Sequence, residues 1–369
     1  MLKQQMDLEH QKELWRKEQL LIASQVEIFP DPPLLTLNQC PGRFQPIPLL
    51  NSSASQYSDD AITMSSGHDL SIETTYCSYY GGVDVSFPSN ESDASVAVYV
   101  ILQYPTGKIV YQDFEYFHLQ VPYISSYLAF REIDPLDRLI QKQIEKCPQL
   151  TPRAILVDGN GILHPRKAGI ACFVGIRTGL PTIGVGKTLF CEGKLTKDIV
   201  LRQLEASLKD AGDCALNGMS PNSNKIVLLD QQSIPRSLQL DCAVTQDVTD
   251  TQTLPTDRTS LVKDLAPVCG GLAVPLTNED GETVACALVA HGGIIGSKAT
   301  AYPHESATAA TAAAVVGAKN PIYISVGHKI SLQESVIICA SFSFSKIPEP
   351  VRQADLIGRN LMRIKDRKK

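Results

Sequence analysis

Three acidic residues stand where acid is disfavoured. Asp84 falls inside the alternating run GGVDVSF, Asp158 closes the apolar run AILVD, and Glu132 ends YLAFRE. Aspartate is depleted from strands because its short side chain competes for backbone hydrogen bonds. Each of these acids therefore asks for a reason. Three carboxylates drawn to one sheet edge repel unless a cation sits between them. An all-oxygen set suits Mg²⁺ or Mn²⁺ better than zinc. Such ions polarise a phosphate and generate hydroxide, and two of them about 3.5–4 Å apart clamp an in-line displacement. A lysine beside them would neutralise charge on the scissile phosphate. Lys187, in LPTIGVGKTLF, is the candidate.

Other chemistry fits these residues less well. Gly184-Val-Gly-Lys-Thr resembles a phosphate-binding P-loop, but the first glycine of that motif would fall on Pro181. Proline has no N–H to offer an amide cradle. A P-loop is also a turn between strand and helix, whereas Thr182–Val185 read as the strand itself. Asp158-Gly-Asn-Gly is not an EF-hand loop either. Ile162 stands where a third oxygen ligand belongs, and Gly169 where a bidentate glutamate belongs. The bland readings remain open on these residues alone. An aspartate at a strand end can cap a helix or turn, His164 can be a satisfied surface histidine, and His328 a helix cap.

The elements that must position these groups follow from periodicity. Residues 5–27 read as a helix with Leu8, Trp15, Leu20, Leu21 and Val26 as a loose apolar stripe. GGVDVSF, ASVAVYVILQY and KIVYQDFEYFHL read as a three-stranded meander. Asp134 is a plausible helix N-cap with Pro135 at the first helical position. AILVD reads as a central parallel strand. A helix over about 168–178 stops at Gly179, and the strand bearing Lys187 follows. Meander, helix, strand, helix, strand makes an α/β domain with a mixed sheet, and its sites form beyond the carboxyl ends of the strands. LAVPLTNEDGETVACALVA reads as a hairpin around Asp280-Gly281, and PIYISVGHKISL as a strand delivering His328 to a last helix.

Bulk properties bound the partners. The chain has 369 residues, 43% of them hydrophobic, with net charge −5. A polyanion must therefore be met by a local basic face, not by the field of the whole molecule. Gly159–Cys191 offers one: it carries His164, Arg166, Lys167, Arg177 and Lys187 and no acid. Ten cysteines occur and none forms a C-x-x-C pair. With a polar start, MLKQQMDLEHQKELWRKEQ, they read as reduced thiols of an intracellular protein. No apolar run reaches the roughly 20 residues that span a bilayer.

GGVDVSF, VPYISSYLAFRE, ILVDGNGILHPRKAGIACFVGIRTGLPTIGVGK, YISVGHKISL and IPEPVRQAD, in that order, resemble the successive signatures of the endonuclease V family, the inosine-specific endonucleases. The resemblance is close over 79–190 and comes in pieces over 272–357. It implies a ribonuclease H-like fold with a mixed central sheet flanked by helices, here elaborated by long low-complexity insertions. It implies Asp84, Glu132 and Asp158 as Mg²⁺ ligands, with Mn²⁺ a possible substitute. Lys187 matches the family's catalytic lysine, and His328 its histidine near the metal. Tyr123 matches the aromatic wedge that fills the gap left by an extruded base. His164 matches the histidine six residues after the second aspartate. The flipped hypoxanthine would meet backbone near Ser126, Leu128, Gly159, Gly161, Ile170 and Gly184. Ser126 stands where the family usually has glycine.

The implied activity is hydrolysis of the second phosphodiester bond 3′ to inosine in RNA or DNA, leaving 5′-phosphate and 3′-hydroxyl ends. Bacterial relatives act in DNA repair, while eukaryotic ones tend to favour RNA. A non-catalytic inosine-binding module is the other reading. The implied organisation is an N-terminal helix packed on the core (1–30), a mobile linker or insertion (31–78), one endonuclease domain (79–357) with irregular insertions at about 200–268 and 296–318, and a basic tail (358–369). A monomer in the cytoplasm or nucleus, including the nucleolus, with no membrane contact, completes the expectation.

Overall fold

The computed structural model describes residues 2–30, 78–88, 94–189, 195–206, 227–229, 271–290 and 321–367, except positions 105, 205, 279 and 344. The segment 31–77, most of 207–268 and all of 296–318, where insertions were expected, lie outside the described residues.

The meander forms as its alternation predicts: β1 (Ser78–Ser86), β2 (Ser95–Tyr104) and β3 (Lys108–Phe117) pair antiparallel in sequence. β2 has every residue but Gln103 buried, and β3 alternates, as a central and an edge strand should. β4 (Ala154–Asp158) and β5 (Thr182–Gly186) add parallel to β1, with Val83 beside Val157 and Asp158 beside Val185. β6 (Val227–Leu229), β7 (Gly271–Thr277), β8 (Thr283–Ala290) and β9 (Ile322–His328) complete the other half by antiparallel pairing. Among the described residues this makes one nine-stranded mixed sheet in the order β3-β2-β1-β4-β5-β9-β8-β7-β6.

Helices cover both faces. On one side lie α1 (Leu2–Gln25), α2 (Ala129–Lys146) and α3 (Ile170–Thr178), whose apolar residues share a core with Val83, Tyr99, Ile155 and Val157. On the other lie α4 (Leu332–Ser341) and α5 (Glu349–Asp366), packed on Val96, Val98, Leu156 and Ile324. α3 ends as expected, with Gly179 in the left-handed region at φ 70°. α4 begins on a full capping box between Ser331 and Glu334.

Three expectations change. α2 starts at Ala129, not after Asp134, so Pro135 lies inside the helix. A proline there forgoes one helical hydrogen bond. The burial of Ala129, Glu132, Ile133 and Leu136 on the sheet side holds the turn nonetheless. The buried face of α1 is Trp15, Gln19 and Ile22, at spacings of four and three, while Leu20 and Leu21 are exposed. Two helices follow β9 where one was expected. The second runs through the supposed basic tail to Asp366, with Val351, Ala354, Gly358 and Met362 packed inward.

Candidate active site

The parallel register sets Asp84, Asp158 and Lys187 at the carboxyl edge of three neighbouring strands. Val83 pairs with Val157, so Asp84 and Asp158 follow side by side. Asp158 pairs with Val185, two residues before Lys187. The Lys187 ammonium donates to Asp158 Oδ2 at 2.5 Å. Glu132 arrives from the first turn of α2, and Asp84, Glu132, Asp158 and Lys187 all line one cavity of about 310 Å³.

These acids occupy costly positions. Burial, then hydrogen bonding and repulsion from Asp158, push the Asp84 carboxyl far above the ordinary range. Burial and Asp158 likewise lift Glu132 to about 8, although Arg131 pulls the other way. Burial works against the charge on Lys187. The Asp158, Asp84 and Asp355 carboxylates outweigh it, and the ammonium ends above the usual lysine value. Asp355, on α5, is a contributor that sequence reading missed, because nothing in IPEPVRQAD says its helix will cross β1. It does cross there: a Cβ on Gly358 would lie 2.4 Å from Ser86 Oγ, and one on Gly82 would lie 2.2 Å from the Pro350 backbone.

The donor set fits a hard divalent ion. Period-two alternation turns Val83 toward α2 and α3, and therefore Asp84 toward α5, while Glu132 enters from the opposite layer. The three carboxylates thus ring the strand edge from two sides. Among the described residues, no three acidic, histidine or cysteine side chains close into a cage able to hold an ion.

The opposite wall comes from the segment before α2 and from the loop after β4. Tyr123 lines the cavity and is 67% exposed, so it is not a core tyrosine. Ser126, Leu128, Gly159, His164 and Ile170 share that wall. Ser126 has φ 68° in a turn closed by Tyr127 N donating to Ile124 O at 3.0 Å. A side chain in this region costs about 1–2 kcal/mol. The Ser126 carbonyl accepts from Gln19 Nε2 at 2.9 Å and Arg166 Nη2 at 2.8 Å, and lies 3.1 Å from His164 Nε2. His164 Nδ1 accepts from Arg166 N, which leaves the proton on Nε2. Burial, then the neighbouring Arg166, lowers this histidine to about 4, so it stays neutral.

Three expected residues are placed elsewhere. Gly161 and Gly184 do not line the cavity; they allow close packing beneath it. A Cβ on Gly161 would lie 2.0 Å from Val326 O, and one on Gly184 would lie 2.3 Å from Gly161 N. His328 is not brought to the carboxylates. β9 runs antiparallel to β5, so His328 pairs with Thr182 at the end of β5 away from Lys187. Its Nδ1 accepts from Glu27 N at 3.2 Å, and its ring packs over Gly175.

The expected basic face is also mostly neutralised. Lys167 pairs with Glu282 at 2.7 Å, Arg177 with Asp134 at 2.6 Å, and Lys187 with Asp158. Sequence reading missed Gln19, whose only signal was its place four residues after Trp15 on the buried stripe. It also missed Arg131, which lies over the Phe87 ring with Nε and Nη1 buried and lacking hydrogen-bond partners.

Comparison with known proteins agrees with this geometry. Residues 61–217 and 295–356 match the family model described as Endonuclease V. Mouse endonuclease V is 32% identical over 283 residues, which is 77% of this chain and 59% of the mouse protein. The chain therefore matches less than two thirds of that relative's length. The catalytic domain of human endonuclease V superposes with a TM-score of 0.58 at 25% identity, covering 97% of this chain and 98% of that one. An endonuclease V from Ciona intestinalis, in complex with a 24mer DNA containing an inosine followed by a ribo-adenosine, superposes at 0.51 with 26% identity over 79% of this chain and 88% of that one. The architecture is the ribonuclease H-like fold.

Proposed function

The chain belongs to the endonuclease V family, and on that premise we propose that it is a divalent-metal-dependent endonuclease. It selects hypoxanthine in nucleic acid and hydrolyses the second phosphodiester bond 3′ to it, leaving 5′-phosphate ends. One observation carries the reading: three carboxylates and a lysine on one wall of a cavity whose other wall is an exposed tyrosine and a backbone turn. The Ciona relative bound to inosine-containing DNA supports the choice of base.

Asp84, Glu132 and Asp158 would hold the ion. A bound Mg²⁺ or Mn²⁺ supplies Lewis acidity toward a phosphate oxygen and a water of lowered pKa. Lys187 keeps an ammonium beside Asp158, where it offsets charge developing on a phosphate. Tyr123 presents a ring to occupy the gap left by an extruded base, returning part of an unstacking cost of a few kcal/mol. The backbone around Ser126, Leu128, Gly159 and Ile170 offers amides and carbonyls to read O6 and N1–H, the groups that distinguish hypoxanthine from adenine.

The left-handed Ser126 favours a second reading, a module that binds inosine but turns over slowly, because a strained turn lines the pocket. A parallel assay decides between them. Inosine is placed in single-stranded RNA, single-stranded DNA and duplex DNA, each with Mg²⁺ or chelator. Mg²⁺-dependent cleavage one nucleotide beyond the inosine's 3′ neighbouring bond is expected in at least one arm. Binding without cleavage in all arms would select the module.

A further inference from the structure

We propose that Gln19, on the N-terminal helix, is a positioning residue that sets the rim of the base pocket before substrate arrives. It does so by locking Ser126 in its left-handed conformation together with Arg166 and His164. The proposal rests on reading the cavity as a hypoxanthine site.

Gln19 is 1% exposed on a helix whose other inward residues, Trp15 and Ile22, are apolar. A buried amide at such a position needs partners to offset its lost hydration. Its partners lie far away in sequence. Nε2 donates to Ser126 O at 2.9 Å and to Ala168 O at 3.3 Å, and Oε1 accepts from Arg166 Nε at 2.5 Å. One side chain therefore ties α1 to the turn before α2 and to the loop after β4. Arg166 gains from this too. Its guanidinium lies 4.5 Å from the Tyr127 ring centroid, and Gln19 holds its Nε while Nη2 reaches the Ser126 carbonyl.

The turn explains why such a hold is needed. Ser126 is the third residue of the Ile124–Tyr127 turn, and a positive φ there is the position that calls for glycine. Serine brings a Cβ into that conformation, so the turn is strained on its own. Three donors around the Ser126 carbonyl fix the orientation of the peptide that follows it. Tyr123 and Leu128, which flank the turn, line the cavity with it. A turn that relaxed would carry both away from the base. The clamp therefore substitutes for the missing glycine, and its importance should depend on Ser126.

That dependence is the test. Gln19→Met keeps the packing and removes the hydrogen bonds. It is compared with wild type, with Ser126→Gly and with the double variant, all in the full chain. Amide exchange of the 122–128 segment is measured with chelator and no substrate. KM and kcat are measured on an inosine-containing single strand, and Tm is recorded for each protein. In the wild-type background, Gln19→Met should speed exchange about tenfold and raise KM about tenfold, with kcat within about twofold. In the Ser126→Gly background, both effects should shrink below about threefold.

Equal effects in both backgrounds, or unchanged exchange in the first, would overturn the clamp. So would a loss that appears in kcat alone. If Gln19→Met does not fold, recovery of a folded protein on adding Ser126→Gly supports the clamp, and failure of the pair to fold overturns it. A wild type that cleaves no inosine strand would sink the functional reading, and the exchange comparison would still decide the clamp.

Discussion

Asp84 and Glu132 keep protons where free carboxylic acids would have lost them. Their values rise from 3.8 to about 9 and from 4.5 to about 8, first through burial. A raised carboxyl pKa gives stability that is fully present below the unfolded value and is lost as pH climbs through the folded one. His164 runs the other way, from 6.5 down to about 4, so its contribution is present above 6.5 and lost as pH falls toward 4. Of these three groups, only the two carboxyls tilt the curve between pH 7 and 8.5. The chelated protein should therefore melt at a lower temperature at pH 8.5 than at pH 7, and Mg²⁺ should raise Tm more at the higher pH. Asp84→Asn should melt higher than wild type in chelator at pH 8.5, lose most of the Mg²⁺ increment, and fall at least about 100-fold in cleavage. An increment that is equal at both pH values and survives Asp84→Asn would detach these acids from the metal.

Elements were legible where periodicity met burial, and illegible where tertiary packing overrode local chemistry. The meander, β4, β5 and the end of α3 follow from alternation and from Gly179. They alone bring Asp84, Asp158 and Lys187 to one edge, so most of the acidic wall could be read without coordinates. The start of α2 could not. Asp134-Pro135 has the form of a helix start, yet packing of Ala129 and Ile133 extends the helix backward and carries Glu132 onto its first turn. His328 was set near the metal by the family resemblance alone, and its own residues left a helix cap open; the antiparallel pairing of β9 with β5 shows that it reaches the other end of the strand. The weak amphipathicity of α1 concealed its role. Trp15, the only tryptophan in the chain, stacks on Phe130 at 5.2 Å and tilts against Tyr127 at 5.7 Å, beside the Ser126 turn. Its fluorescence should therefore shift in step with the far-ultraviolet unfolding curve. Trp15→Ala should cost about 3 kcal/mol and raise KM for an inosine strand. A tryptophan transition well before global unfolding would make α1 an accessory, not a wall of the site.

The molecule as a whole must bring a polyanion to an acidic cavity on a chain of net charge −5. The basic stretch 159–191 was the local face expected to meet a polyanion, but its cations are already engaged. Lys167, Arg177 and Lys187 hold carboxylates, Arg166 holds Gln19 and the Ser126 carbonyl, and His164 is neutral. Among the described residues close to the carboxylates, Arg131 retains buried donors without partners. Those donors are buried over the Phe87 ring, and Arg131 does not line the cavity, so most of the attraction for phosphate at this site has to come from the divalent ion, and bare carboxylates would repel the strand. Removing the ion at constant ionic strength should weaken inosine-strand binding about tenfold or more at pH 8.5, where the acids are most ionised. Asp84→Asn should lose less, because it removes one repelling charge by itself. With Mg²⁺ present, the slope of log affinity against log salt should stay shallower than about −2, since a single strand contributes about 0.7 per phosphate neutralised. A steep slope that chelator leaves unchanged would mean that a basic surface outside this cavity holds the strand, and the metal would then serve the cleavage step alone.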